Sequence, residues 1–574
     1  MKKIVPVLTA VSLIILIAAG FVGFRVLERY MPTKERADLA EVYHVSGDET
    51  AIIYNYEQQE QTGIYENGQT YLPISWVNDH INERFYWDSI EDLLVYALPD
   101  QIVYADAETK GSNGAPLLLV KDEEVYLTLG LIANYTDVQI QAFDSGDGKR
   151  VLINDWGTRN TARVKKAGSL RVKGGVKSKV LTDLAKDDTV TVLDTMEKWS
   201  RVASSDGNIG YVENKRLAAA ESRKFSGNFK APVYKSTRMS GKIVLGWHQV
   251  TNSSANANIA NVLSNTKGLN VISPTWFYLK DTNGGIGSLA SSDYVNYCHQ
   301  NNIEVWALVS NFGAKDQGLE SPDTTQVLTY SSRRESLINN LISAAIQYKL
   351  DGINVDFESL DPSIGDSYIQ FIRELSLKCA NNGIVLSVDN YPPTAYTAFY
   401  NRSEQAVFAD YVILMGYDEH YAGSEEAGSV SSIGFVNQGV ADTLQSVPAD
   451  QLILGMPFYT RVWSETLVSD DGAAVSTTED TSDSDTLYEL DCYSAGMKEV
   501  QNLISTNGAV PVWSDTDGQY YVEYINGGVT YKIWVEDATS LEEKLKVMQS
   551  NQLAGGAFWK LGLEDPAVWD TIIK

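Results

Sequence analysis

Cysteine is almost missing from this chain, with three residues (Cys298, Cys379, Cys492) in 574. They are too far apart for a metal-ligand motif and too few for a disulfide framework, so buried free thiols are expected. Histidine is sparse as well. The five (His44, His80, His248, His299, His420) are scattered, with no spacing that suits a zinc site. Positive charge is the third shortage: 46 Lys and Arg stand against 74 Asp and Glu, a formal net charge of −28. Nucleic acid is excluded as a partner on that ground, because phosphate binding needs clustered Lys and Arg. An uncharged ligand held by stacking and hydrogen bonds meets no such repulsion.

The hydrophobic content is ordinary, 44%, and the length is too great for one core, so three or four folded units are expected. After Lys2-Lys3, residues Ile4 to Phe24 run 21 positions without a charge. That run is long enough to cross a bilayer as a helix. Residues 1–30 are therefore expected to anchor the chain in the cytoplasmic membrane as a single span, with nearly everything else outside the cell. Ala18-Ala19-Gly20 offers the alternative of signal cleavage and secretion.

Residues 45–158 contain a weak repeat: Tyr71-Leu-Pro-Ile-Ser-Trp-Val-Asn is echoed 55 positions later by Tyr126-Leu-Thr-Leu-Gly-Leu-Ile-Ala. Each copy reads as strand, short helix, strand, and the segment resembles the small repeat domain named from the N-terminus of copper amine oxidases. Residues 160–220 form a run of short strands ending in Asp206-Gly-Asn-Ile-Gly-Tyr-Val, similar to bacterial SH3-like domains. That segment is locally basic (Arg163, Lys165, Lys166, Arg171, Lys173), unlike the remainder of the chain.

From about residue 238 to 574 apolar strands alternate with amphipathic helices, which implies parallel βα units. Eight strands are predicted, beginning at Ile243, Val271, Val305, Gly352, Ile384, Tyr411, Leu452 and Gly556. One helix places Leu337, Ile338, Leu341, Ile342, Ala345 and Ile346 on a single face, and Asn382-Gly383 closes the next. The expected fold class is α/β, a (β/α)8 TIM barrel with an α+β insertion between strands seven and eight. The acidic stretch Ser469 to Thr486 in that insertion reads as a surface loop.

In the predicted fourth strand, Gly352-Ile-Asn-Val-Asp-Phe-Glu358, alternation puts Asn354, Asp356 and Glu358 on one face and Ile353, Val355 and Phe357 on the other. The apolar set suits the surrounding helices, so the polar set must enter the barrel, where it is costly unless a site uses it. Glu358, nearest the carboxyl end, is placed to protonate a leaving oxygen. Asp356, two residues away on the same strand, approaches from the same side and cannot easily attack from the opposite one. A substrate carrying a 2-acetamido group would supply its own nucleophile, the carbonyl oxygen, with Asp356 orienting the acetamide nitrogen.

Asp351-Gly-Ile-Asn-Val-Asp-Phe-Glu358 resembles the signature of family 18 glycoside hydrolases, Asp-x-x-Asp-x-Asp-x-Glu. Further motifs follow in the family's order: Met415-Gly-Tyr417-Asp418, Gly455-Met-Pro-Phe-Tyr459-Thr-Arg461 and Gly555-Gly-Ala-Phe-Trp559. The resemblance implies catalysis by Glu358, Asp356 and Tyr417, whose hydroxyl would bind the acetamido carbonyl. Asn354, Asp351 and Asp418 would support them, and Trp559 would floor the reacting sugar. Ile272-Ser-Pro-Thr-Trp276, Tyr417-Asp-Glu-His420 and Trp534-Val-Glu-Asp537 are similar to the spore-cortex-lytic N-acetylglucosaminidase group, so Trp276, Tyr459, Arg461 and Trp534 are added as substrate-binding candidates.

The resemblance implies a retaining hydrolase of N-acetylglucosamine-containing polysaccharide, with cell-wall peptidoglycan favoured. It implies no metal and no organic cofactor. A chitinase and a non-catalytic wall-binding protein are the rival readings. One position departs from the pattern: the family's middle aspartate is Asn354 here, which keeps hydrogen bonding but cannot ionise, so an altered pH profile is expected.

Overall fold

The computed structural model describes residues 4–312, 321–468 and 487–573. The described residues form two compact units, 1–87 with 104–232 and 88–103 with 233–574. The predicted loop Ser469 to Thr486 lies outside the described residues.

The first unit opens on a helix, Ile4–Tyr30, of which Thr9–Tyr30 is long and apolar enough to cross a membrane. Two seven-stranded sheets follow. In the first, the repeated segments Gln69–Pro73 and Glu124–Thr128 pair antiparallel, Leu72 facing Leu127, and each leads into a short helix. The second contains the five predicted short strands, from Gly168–Arg171 to Ile209–Glu213, around a core of Leu170, Leu181, Val190, Val202 and Val212. Arg150 fastens the two sheets together. Its guanidinium donates to the carbonyls of Asp206 (2.6 Å) and Gly207 (2.8 Å) beneath the rings of Tyr43 and Phe143.

In the second unit, eight parallel strands close on themselves: β1 Ile243–His248, β2 Val271–Leu279, β3 Glu304–Ser310, β4 Gly352–Asp356, β5 Val385–Asn390, β6 Tyr411–Met415, β7 Leu452–Pro457 and β8 Gly555–Trp559. Each pairs with its neighbours in order, and β1 closes the ring by pairing with both β2 and β8. The helix Ser331–Tyr348 buries Leu337, Ile338, Leu341, Ile342 and Ala345 but leaves Ile346 59% exposed, one residue fewer on its apolar face than the sequence pattern suggests. Gly383, at φ +68°, ends the helix Gly365–Asn382 in a conformation that glycine adopts without steric cost. Segment 88–103, expected inside the repeat domain, instead packs in this unit. Asp88 accepts the Ser331 amide at 2.6 Å, and Tyr234 donates to the Ala97 carbonyl at 3.0 Å.

The insertion is a five-stranded antiparallel sheet built from Tyr459–Val468, Leu487–Gly496, Val512–Ser514, Gln519–Asn526 and Val529–Val535, with the helix Met497–Asn507 against it.

The alternation read from the sequence holds in β4. Ile353, Val355 and Phe357 join the core between strands and helices, while Asn354 points inward. The lower barrel interior is filled by large side chains, Trp306 stacking on Tyr411 with centroids 5.4 Å apart. Gly352 exists because of that filling: a Cβ there would sit 2.6 Å from the Trp306 ring. Gly352→Ala is expected to cost about 1–3 kcal/mol through overpacking. Thermal unfolding measures this, and an unchanged melting temperature would contradict the packing account.

Candidate active site

At the carboxyl ends of the strands, Trp247, Asp356, Glu358, Asp389, Tyr391, Met415, Tyr417, Asp418 and Trp559 line one pocket. β4 proper ends at Asp356, and Glu358 lies just past it. The Asn311 side chain holds Glu358 in line: its amide donates to the Glu358 carbonyl and accepts the Glu358 N–H, both at 2.9 Å, in place of a neighbouring strand. The chain then turns sharply at Ser359, φ +52°. The Glu358 carboxylate accepts a hydrogen bond from the Tyr391 phenol.

Beneath it, Asn354 is fully buried and hydrogen-bonded at both ends of its amide. Its Oδ1 accepts from Trp247 Nε1 at 2.9 Å and Ser273 Oγ at 3.1 Å, and its Nδ2 donates to Asp389 Oδ1 at 2.8 Å. Asp356 is different. Its Oδ1 is shielded from solvent and has no hydrogen-bond partner among the described residues.

Desolvation dominates the electrostatics. Burial pushes the Asp356 carboxyl well above the usual range, and the charges of Glu358 and Asp389 push the same way. Asp389 is raised well above its ordinary value by burial, against the lowering effect of the Asn354 amide, with Glu358 adding to the rise. Glu358 is raised by burial, the Tyr391 hydrogen bond opposing and the Asp418 charge assisting. A carboxylic acid that keeps its proton beyond the normal carboxylate range is what general-acid catalysis requires.

Tyr417 is buried edge-on to Trp247 (6.5 Å) and Tyr459 (6.4 Å). Gly455 gives it room, since a Cβ there would lie 3.3 Å from the Tyr417 ring and 2.8 Å from the Leu414 carbonyl. Half-buried Trp559 meets Trp247 edge-on at 5.9 Å. Asp418 is held from the start of the insertion, by Tyr459 Oη at 2.6 Å and Arg461 Nη2 at 3.4 Å.

Three sequence-predicted residues lie elsewhere. Asp351 sits at the amino end of β4, about 16 Å along the strand from Asp356, where it accepts from His299 Nε2 (2.7 Å) and the Val305 amide (2.8 Å). It ties the barrel floor together, outside the pocket lining. Trp276 is wholly buried, its indole donating to Asn256 Oδ1 at 2.8 Å, because its position on β2 points it at the helices and away from the barrel mouth. Trp534 belongs to the insertion sheet, against Tyr521 and hydrogen-bonded to Asp517, outside the pocket lining. Its motif is a helix start: Asp537 caps Ala538–Ser550, and buried Glu536 pairs with Lys544 at 2.7 Å. Conversely, Asp389, Tyr391, Trp247 and Asn311 are at the site without having been singled out. The alternation Ser387, Asp389, Tyr391 along β5 and just past it was the available signal.

A closed parallel barrel that presents, just past its fourth strand, a glutamic acid with a pKa raised by burial in a tryptophan-lined pocket defines a glycosidase-type site. The chain belongs to glycosyl hydrolases family 18, whose family model matches residues 246–564, and a bacterial SH3 domain model matches residues 166–218. Among curated relatives, the "Uncharacterized glycosylase YvbX" of Bacillus subtilis is 23% identical over 302 residues, 51% of this chain and 81% of that protein. The cortical fragment-lytic enzyme of Bacillus subtilis is 27% identical over 245 residues, 41% of this chain and 52% of that protein. Its Bacillus anthracis counterpart is 22% identical over 292 residues, 49% of this chain and 61% of that protein. The solved spore cortex-lytic enzyme SleL of Bacillus cereus superposes with a TM-score of 0.49 at 18% identity, covering 62% of this chain and 78% of that one.

Removing the Asp351 carboxylate separates its structural place from the chemistry. Asp351→Ala should cost about 1–3 kcal/mol of stability through the two donors it strands. Below the melting transition it should leave kcat within about twofold. A tenfold fall in kcat with stability unchanged would return Asp351 to the site.

Proposed function

We propose that the protein hydrolyses β-linked N-acetylglucosamine glycans, peptidoglycan foremost, by a retaining mechanism in which the substrate's own acetamide is the nucleophile. The observation that carries this reading is Asp356 Oδ1, an enclosed carboxyl oxygen with no hydrogen-bond partner among the described residues, on a side chain that lines the same pocket as Glu358 and Tyr417. An acetamide N–H is the group that would satisfy it.

Glu358, whose hold on its proton is strengthened by burial, gives that proton to the glycosidic oxygen as the C1–O bond breaks. The acetamide carbonyl oxygen closes on C1 from the opposite face and forms a cyclic oxazolinium ion. Asp356 accepts the acetamide N–H and offsets the positive charge on the ring, while the Tyr417 hydroxyl donates to the carbonyl oxygen and aligns it. Water then attacks C1, the C1–O bond to the acetamide opens, and the Glu358 carboxylate takes the water's proton, so the configuration at C1 is retained. Trp559 offers an apolar face to the sugar ring.

Peptidoglycan is favoured over chitin by the bacterial SH3 module ahead of the barrel and by relatives named as cortical fragment-lytic enzymes. The helix Thr9–Tyr30 suits an uncleaved anchor that holds the catalytic unit outside the cytoplasmic membrane.

Incubation with purified peptidoglycan and with chitin oligomers, followed by identification of new reducing ends, tests the reading. Wild type should release N-acetylglucosamine reducing ends faster from peptidoglycan, and Glu358→Gln should lower the rate by about 10²–10⁴. Faster release from chitin would move the substrate to the rival polymer. Release from neither would favour a wall-binding protein.

A further inference from the structure

Asn354 stands where the family signature carries an aspartate, and its surroundings show where the missing acid went. Trp247 Nε1 is a donor only, so the Asn354 atom facing it at 2.9 Å must be the amide oxygen. The amide nitrogen is thereby turned towards β5, where Asp389 Oδ1 accepts from it at 2.8 Å. Residue 354 does not titrate; its amide oxygen is committed to Trp247 and Ser273, and its amide nitrogen donates to Asp389. Asp389 is 3% exposed and lines the same pocket as Asp356 and Glu358.

We propose that Asp389 supplies from β5 the second buried acid of this site, a positioning residue that fixes Asn354 and shares a single negative charge with Asp356. Asp356 and Asp389 line one pocket, and Asn354, two residues before Asp356 on β4, donates directly to Asp389. Two carboxyls confined together in a desolvated interior do not both ionise readily, so the pair titrates as a unit. The groups facing the pair are Glu358 from the end of β4, Tyr391 from the end of β5, and Tyr417 and Asp418 after β6. Tyr368 of the helix Gly365–Asn382 lies behind, with Tyr400 and Arg402 beyond it. Among these the cation, Arg402, is itself lowered to about 10 by burial and holds the Tyr391 carbonyl at 2.8 Å. The charge on Asp356 is therefore set mainly by burial and by its acidic neighbours. When the acetamide N–H arrives, the shared charge settles on Asp356 and the proton stays on Asp389.

This inference rests on the hydrolytic reading of Asp356 and Glu358, and one of its two tests is independent of that reading. The first test is the pH–rate profile of the full chain on the N-acetylglucosamine tetramer, for wild type, D389N and the swap N354D/D389N. Removing the Asp389 carboxyl takes away the group that competes with Asp356 for the single charge, so Asp356 ionises more readily and the optimum of kcat should move to lower pH in D389N. Its kcat should fall at least about tenfold, with KM changed little. The swap, which returns a carboxyl to the neighbourhood from β4, should recover most of the rate and move the optimum back. Superimposable profiles for wild type and D389N would overturn the proposal.

The second test is thermal unfolding of the same proteins against pH, which needs no activity. A carboxyl raised in the folded state favours folding at low pH, and that stability is lost as pH rises above the ordinary carboxylate range. D389N should therefore melt above wild type at neutral pH, and the gap should close on acidification. A uniform loss of stability at every pH would overturn the proposal. If D389N does not fold, a folded and active swap supports it, and failure of both variants to fold overturns it. A wild type that cleaves no glycan defeats the hydrolytic reading alone, leaving the melting test to decide on the shared charge.

Discussion

Burial of three carboxyl groups inside one barrel is the constraint on which this structure turns. Asp356, Glu358 and Asp389 are all raised by desolvation, and Asp356 and Asp389 are raised further by Glu358. Such an arrangement opposes folding at neutral pH, and the barrel bears it because the floor below is densely packed. Trp306 stacks on Tyr411 and lies across Gly352, with Leu245, Leu308 and Ile413 completing the layer. The upward shifts favour the protonated forms, in which the cluster does not repel itself. The same burial raises Glu358 above the ordinary carboxylate range, the direction that an acid role needs.

The supports around the cluster come from different strands and do different jobs. Asn311, after β3, stands in for a missing strand partner and fixes the Glu358 backbone. Tyr391, after β5, holds the Glu358 carboxylate from the side. Tyr459 and Arg461, at the start of the insertion, hold Asp418 at the rim. The insertion thus does more than extend the chain, because its first strand completes the setting of a pocket residue.

Much of this was legible beforehand, for a physical reason. Parallel strands buried on both faces leave continuous apolar runs, so all eight strands and the alternation in β4 could be read from the sequence. Asp356, Glu358, Tyr417, Asp418 and Trp559 could be read too, because they lie in motifs at strand ends. Asp389 could not be read in this way, since the apolar run of β5 draws attention to Val385–Val388 and away from the polar residues that follow. Tryptophans misled in the other direction. Trp276 and Trp534 sit in family-like motifs, yet one fills the core and the other packs on a sheet. A motif records what a position needs and leaves open whether the need is binding or packing. Asp351 makes the same point: the first acid of the signature serves the barrel floor.

The central claim is that the substrate supplies the nucleophile while Glu358 acts alone as acid and then base. The anomeric configuration of the first product tests it most directly, followed by proton NMR during hydrolysis of the N-acetylglucosamine tetramer before mutarotation. The account predicts the β-anomer at the earliest times, with α appearing only as the sugar equilibrates. An initial α-anomer would mean direct attack by water opposite the leaving group, and would contradict it.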